Sequence, residues 1–238
     1  MMAFGEDSEL ASNKKIIKSL ETIFLLHAEH ELNCSTAAMR HMTSALADVY
    51  SSLSGSVTAL FGPRQSGVCE LVIRMLEEIK TVENVPSFIE KVKRKERTLA
   101  GFGHRVYRNN DPRVDIIRHV ADDVYDIVGR EQLIEVAFEL ERIARTDAYF
   151  ITRKLQPNID FYSGCIFKAM GFPPEFFSVL YALPRFTGWL AHWNEFIQDP
   201  ENRVVRPSQL YMGERSRNFK NINDRGDAEI IASYKCRE

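Results

Sequence analysis

A chain of 238 residues is long enough for one large domain or two modest ones around a buried core. Its 45% apolar and 27% charged residues are ordinary for a soluble globular protein, and a net charge of −2 spread along the chain leaves no electrostatic footprint for nucleic acid or an acidic membrane. Cys34, Cys69, Cys165 and Cys236 stand far apart with no CxxC pair, which argues against a disulfide framework or a zinc knuckle and suits a reducing compartment.

In chain order, residues 1–7 lack the basic-then-apolar pattern of a secretory signal. Ile16, Ile17, Leu20, Ile23 and Phe24 repeat with the helical period and predict one buried stripe. Ser87 and Glu90 follow Pro86 at capping-box spacing and predict a helix start. The basic run Lys91, Lys93, Arg94, Lys95 and Arg97, interrupted by Glu90 and Glu96, reads as a solvated helix end. Asp111 and Pro112 suit a cap and a first turn; Val114, Ile117, Val120, Ala121, Val124 and Ile127 then line one face, and Gly129 is a C-terminal stop. Residues 131–154 continue as helix until Pro157, and 164–170 and 175–183 read as two more, parted by Gly171-Phe172-Pro173-Pro174. No apolar run reaches the roughly 20 residues needed to span a bilayer, and no alternating run is long enough for a sheet core. The predicted class is mostly α. Asn218, Lys220, Asn221, Asn223, Asp224 and Arg225 mark a polar tail, expected to be flexible, and residues 234–238 form neither a peroxisomal tripeptide nor a prenylation box.

Three segments carry candidate chemistry. His27 and His30, followed by Glu31 and Asn33, share a face if the segment is helical; they suit a metal pair, a polar face or an anion-binding histidine, and no third metal ligand stands at zincin spacing. Gly101-Phe102-Gly103-His104 begins like a dinucleotide loop, but Val106 occupies the third glycine position and no strand precedes it. Its glycines instead allow close approach of a ligand and leave His104 projecting from a tight turn. Arg105, Arg108 and Arg113 crowd the same stretch, as a solvated surface or a carboxylate clamp. In NIDFYSG at 158–164, Asp160 sits in a loop before a helix, where it is either an N-cap or a reactive acid.

The order of the pieces is specific. LHAEHELNCSTAAMRH at 26–41 resembles the histidine-bearing helix of citrate synthases, and GFGHRVYRNNDPR at 101–113, NIDFYSG at 158–164, LPRFTGW at 183–189 and RPSQLYMG at 206–213 follow in that family's order and spacing. With TVENVPSFIE at 81–90 and MGFPPEFF at 170–177, the wording is most similar to the peroxisomal (glyoxysomal) citrate synthases of plants. The resemblance runs from about residue 15 to 213 and covers the C-terminal part of the family's length. It implies a multi-helical citrate-synthase-like fold lacking the N-terminal part of the large domain. Residues 1–75 would be a remnant of that domain, 76–184 the small domain, 185–215 a return to the large domain and 216–238 a flexible tail.

The same resemblance implies an acyltransferase that condenses acetyl-CoA with oxaloacetate to give citrate and CoA, with no metal and no cofactor beyond its substrates. Asp160 would be the base that removes a methyl proton, and His104 would polarise the oxaloacetate carbonyl. His30, Arg113 and Arg185 would hold the carboxylates, with Arg206 supplied across the interface of a homodimer or of a heterodimer with a full-length homologue. Thr98, Leu99, Ala100, Gly101, Phe102 and Gly103 would contact the CoA adenine. Kinship points to a peroxisome, or to the cytoplasm if no targeting segment precedes the chain. One segment departs from the pattern. Where the family has approximately Gly-Pro-any-His-Gly-Gly-Ala-Asn-Glu, this sequence has Gly62, Pro63, Arg64, Gln65, Ser66, Gly67, Val68, Cys69 and Glu70. Gln65 therefore replaces a catalytic histidine. Its amide can still donate a hydrogen bond, but it cannot titrate near neutrality. The expectation is an enzyme slowed by this change and by truncation; the alternatives are a non-catalytic homologue that binds a partner subunit or a dicarboxylate, and a truncated gene product.

Overall fold

Polar caps decide where several of the helices begin. The computed structural model describes residues 4, 5, 8–107, 111–213, 215, 216 and 218–224. After a single turn, α1 (Glu9–Ser12), Asn13 accepts the Lys15 and Ile16 N–H groups and opens α2 (Lys14–Ala28). Asn33 caps α3 (Cys34–Ser44) through the Thr36 N–H, and Asp48 caps α4 (Val49–Leu60) through those of Tyr50 and Ser51. Each such cap is worth about 1 kcal/mol. There follow α5 (Gly67–Ile79), α6 (Val85–Lys93), α7 (Arg113–Val128), α8 (Gln132–Thr146), α9 (Ala148–Arg153), α10 (Ile159–Ala169) and α11 (Phe177–Gln198). Among the described residues there is no strand, only an isolated antiparallel bridge between Phe102 and Pro157. None of their helices is long and apolar enough to cross a membrane.

The predicted α7 face is buried at Val114, Ile117, Val120, Ala121 and Val124, while Ile127 is only partly buried and Tyr125 is buried in addition; Gly129 ends the helix with φ 83°. On α2 the stripe is Ile16, Ser19, Ile23 and His27, and Ile17 lies outside it. Several predicted boundaries move, each for a local reason. Residues 131–154 are two helices, because the Asp147 side chain accepts the Tyr149 N–H and restarts the chain as α9. Ser87 lies inside the first turn of α6, where its hydroxyl donates to the Asn84 carbonyl; there is no capping box. The final helix runs through Pro184 to Gln198 instead of stopping at 183.

The chain divides into two compact units, Met1–Val205 and Arg206–Glu238. In the first, α11 packs on α2, α3 and α4, while α10 lies against α5, α7 and α8. Phe161, Tyr162, Ser163, Gly164, Cys165, Ile166 and Phe167 are all buried, so α10 is a core helix enclosed on every side. Gly188 lets α11 approach the end of α2, since a Cβ there would collide with the Ala28 carbonyl oxygen. In the second unit, 206–213 has no regular structure and a 3-10 turn covers Ile222–Asp224. Arg225 and the rest of the expected tail, including Cys236, lie outside the described residues.

Candidate active site

Two antiparallel segments bring the candidate residues together. The Gly103 N–H donates to the Gln156 carbonyl at 2.8 Å, and the Asn158 N–H donates to the Gly101 carbonyl at 2.9 Å. The Asn158 side chain secures both sides of this junction. Its Nδ2 donates to the Gly103 carbonyl at 2.8 Å, while its Oδ1 caps α10 by accepting from Asp160 and Phe161. Gly101 has φ 76°, and a Cβ there would lie 2.7 Å from Val72 Cγ2 and 2.9 Å from Phe161 Cβ. Only glycine fits. Residues 98–103 therefore reach the head of α10 from an exposed Thr98 through half-buried Leu99 and Ala100, with Phe102 against Phe161. Asp160 stands in the first turn of α10, neither a loop residue nor the cap.

His104 follows directly. Its Nδ1 accepts the backbone N–H groups of Val106 and Tyr107 at 3.1 and 3.2 Å, so the neutral ring carries its proton on Nε2. His30 meets it edge-on with ring centroids 5.3 Å apart, and its Nε2 lies 2.8 Å from the Tyr107 hydroxyl. His27 and His30 do not share a helical face. α2 stops at Ala28, leaving His27 buried in its last turn and His30 beyond its end. His27 bonds Ser163 on α10 at 2.9 Å, and its carbonyl accepts the Nε–H of buried Arg185 at 2.6 Å. Arg113, at the start of α7, forms a fork with Asp111 at 2.9 and 2.7 Å. Among the described residues, no group of three or more His, Cys, Asp or Glu is placed to hold a metal ion.

Burial sets the electrostatics of this cluster. It lowers the pKa of His30 and His104, with the Arg113 charge adding to the effect, and it holds His27 far below the usual imidazole value with help from Arg185 and Arg113. Burial also depresses Arg185. The result is a set of imidazoles biased toward the neutral form within reach of the Arg113 and Arg185 charges, with Arg113 also paired to Asp111. Guanidinium and imidazole N–H groups suit a small anion. Asp160 responds in the opposite sense: burial raises its pKa, against a 2.5 Å hydrogen bond from the Tyr181 hydroxyl to Oδ1. A carboxylate moved up toward neutrality is what a proton-abstracting base requires.

Residues 1–208 match the family described as "Citrate synthase, C-terminal domain". The chain belongs to the citrate synthase family. Glyoxysomal citrate synthase of Cucurbita maxima is 54% identical over 213 residues, covering 90% of this chain and 41% of the relative. Peroxisomal citrate synthase of Dictyostelium discoideum is 53% identical over 218 residues, covering 92% and 44%. The chain thus spans rather less than half the length of these curated relatives. Among solved structures, citrate synthase of Thermoplasma acidophilum, in a ternary complex with carboxymethyl coenzyme A and oxaloacetate, superposes with a TM-score of 0.80 at 31% identity over 93% of this chain and 61% of that one. That of Thermotoga maritima gives 0.78 at 35%, over 90% and 57%.

Against the citrate synthase pattern, the altered segment at 62–70, which runs from a turn into the start of α5, is wired to other parts of the chain. Gln65 Nε2 donates to Asn33 Oδ1 at 2.8 Å and to Ser35 Oγ at 2.9 Å. Its Oε1 is buried with no hydrogen-bond partner among the described residues. Both amide hydrogens that might meet an enolate are therefore already engaged. Ser66 is buried, bonding the Leu60 carbonyl at 2.7 Å and Ser178 at 3.0 Å. Cys69 Sγ lies 3.1 Å from the Asp160 carbonyl oxygen and 3.2 Å from the Tyr181 hydroxyl. Arg64 and Arg105 are exposed, Arg108 lies outside the described residues, and Arg206 opens the second unit as an exposed residue. Sequence reasoning missed Tyr107, Asp111 and Tyr181. Two had a readable signal: Asp111 stands two residues before Arg113, and Tyr181 one helical turn before Arg185.

Proposed function

We propose that this chain forms the dicarboxylate-binding part of a citrate-synthase-type acyltransferase site, condensing oxaloacetate with acetyl-CoA without a further cofactor. The observation that carries this reading is the meeting of His30 and His104 beside Arg113, with buried Arg185 tied to the same cluster through His27. In this reading the oxaloacetate carboxylates take their hydrogen bonds from His30, Arg113 and Arg185, and a second subunit supplies Arg206. His104, protonated on Nε2, donates to the keto oxygen as charge develops there. Asp160 accepts the methyl proton, and residues 98–103 hold the CoA adenine. Turnover is slow because Gln65 offers the acyl carbonyl no free N–H. That same observation favours a second reading, a non-catalytic homologue that binds a dicarboxylate or a partner subunit.

The packing of α11 on α2, α3 and α4 supports assigning 1–75 and the part of α11 from 185 to 198 to one body, with 76–184 as the small domain. Kinship with the glyoxysomal and peroxisomal relatives supports a peroxisomal location. Calorimetric titration of oxaloacetate into the full chain tests the core of the proposal. Saturation should stabilise the protein by about 2.7 kcal/mol at 100 times the dissociation constant, and Arg185→Leu should abolish the heat. A folded protein that shows no heat with oxaloacetate refutes the dicarboxylate pocket in both readings and leaves only the binding of a partner subunit.

A further inference from the structure

The Asp160 carboxylate is held from one side only. The Tyr181 hydroxyl donates to Oδ1 at 2.5 Å, while Oδ2 has no hydrogen-bond partner among the described residues. Tyr181 is itself fixed. It is buried on α11, its ring lies 4.0 Å from the His27 ring between centroids, and the Cys69 thiol reaches its oxygen at 3.2 Å. We propose that Tyr181 is a positioning residue of this site, its phenol gripping Oδ1 of Asp160 so that Oδ2 alone is presented to take a proton. The inference rests on the reading of Asp160 as the base.

A hydrogen bond donated to a carboxylate favours its charged form and so sets the pH at which the base becomes available. The other groups that bear on Asp160 are Cys69 from α5, His104 from the glycine loop, Asp111 and Arg113 at the head of α7, and Arg185 on α11. None of them donates a conventional hydrogen bond to the carboxylate: Cys69 Sγ approaches Oδ1 only to 3.9 Å. Removing the phenol oxygen therefore removes the dominant hydrogen bond opposing the effect of burial.

The test is the titration of Asp160 in the full chain labelled with 13C at the aspartate carboxyl carbon, with Asp160→Asn identifying the resonance. Tyr181→Phe keeps the ring and its packing, and should move the midpoint upward by about one pH unit, a tenfold change in proton affinity. Because Tyr181→Phe could disturb the fold, 3-fluorotyrosine placed at 181 provides a second arm. It is a stronger donor of nearly equal size and should move the midpoint down. Opposite shifts in the two proteins support the positioning role; an unmoved midpoint, or shifts of one sign in both, overturns it. Oxaloacetate titrated into the same samples reads the dicarboxylate function separately. Binding with an unmoved midpoint overturns the positioning role alone, whereas a moved midpoint without binding supports the Tyr181 grip on Asp160 but overturns the functional reading on which the positioning role rests.

Discussion

Replacing Gln65 with histidine tests how the altered corner is wired. Asn33 Oδ1 accepts the Thr36 N–H as the cap of α3, so that atom is oxygen, and the Gln65 atom 2.8 Å from it must be the amide nitrogen. The Ser35 hydroxyl donates to the same oxygen at 2.8 Å, so its lone pairs accept from Gln65 at 2.9 Å and Trp189 at 3.3 Å. An imidazole at 65 has one N–H and one bare nitrogen. If the Ser35 hydroxyl turns from Asn33 to the bare nitrogen, the N–H is left for an acyl-CoA carbonyl. One preorganised donor of this kind is worth about 100- to 1,000-fold in turnover, or about 3 to 4 kcal/mol. The assay is exchange of the acetyl-CoA methyl protons with deuterium in the presence of oxaloacetate, followed by NMR. It is run on the full chain and on a fusion carrying the preceding half of a curated relative. Gln65→His should accelerate exchange about 100-fold. Ser35→Ala in that background should remove most of the gain by releasing the tautomer, and Asp160→Asn should remove all of it. A variant that binds both ligands yet exchanges no faster would refute the reasoning, as would a gain that survives Ser35→Ala.

Two further outcomes follow from the same geometry. Gly101→Ala combines φ 76° with a Cβ 2.7 Å from Val72 Cγ2, so it should cost about 2 kcal/mol or more in urea unfolding and weaken oxaloacetate binding by displacing His104; unchanged stability would count against the junction. His27 is held neutral in the fold by burial and by Arg185 and Arg113, whereas the unfolded chain protonates it near its ordinary pKa of 6.5. The unfolded state then binds the extra proton, so stability present above about pH 6.5 is lost as pH falls below it. His27→Gln should flatten the urea midpoint against pH between about 6.5 and 5, leaving the smaller slope due to His30 and His104.

The parts of the fold legible in the sequence are those that local periodicity determines. The α7 face could be read from Val114 to Val124 because burial on one side imposes the 3.6-residue repeat, although Tyr125, outside the predicted stripe, is buried and Ile127, within it, is only partly buried. The break at Asp147 could not, since Leu140, Ala144 and Phe150 are all buried and the apolar pattern continues across it. Pro184 reads as a stop because it lacks an N–H, yet α11 is long and well packed on three other helices and tolerates the lost bond. The glycine loop, His104 and Asp160 were legible as motifs. Their relation was not, because Gly101 and Asn158 meet across more than fifty residues. Likewise Gln65 could be seen as a departure, but the capture of its amide by Asn33 and Ser35 depends on a contact between distant segments.

That capture changes what the substitution at 65 means for the rest of the pocket. Asn33 is both the cap of α3 and a neighbour of His30, whose carbonyl oxygen lies 3.4 Å from Asn33 Nδ2. Gln65 therefore braces the segment that presents His30, even though it no longer offers a donor to an acyl group. Cys69 plays a similar part beside Asp160, touching the Asp160 backbone and the Tyr181 hydroxyl that bonds its carboxylate. Two of the residues that depart from the family pattern, Gln65 and Cys69, are thus bonded to residues that keep it. Loss of the acyl donor need not loosen the carboxylate-binding groups, because the replacement side chain stabilises their scaffold through two hydrogen bonds, each worth about 1 kcal/mol net. The cost is concentrated at one atom, Gln65 Oε1, which has no hydrogen-bond partner among the described residues. On the proposed reading, this asymmetry would let the pocket lose an acyl donor while His30 and Asp160 keep their supports.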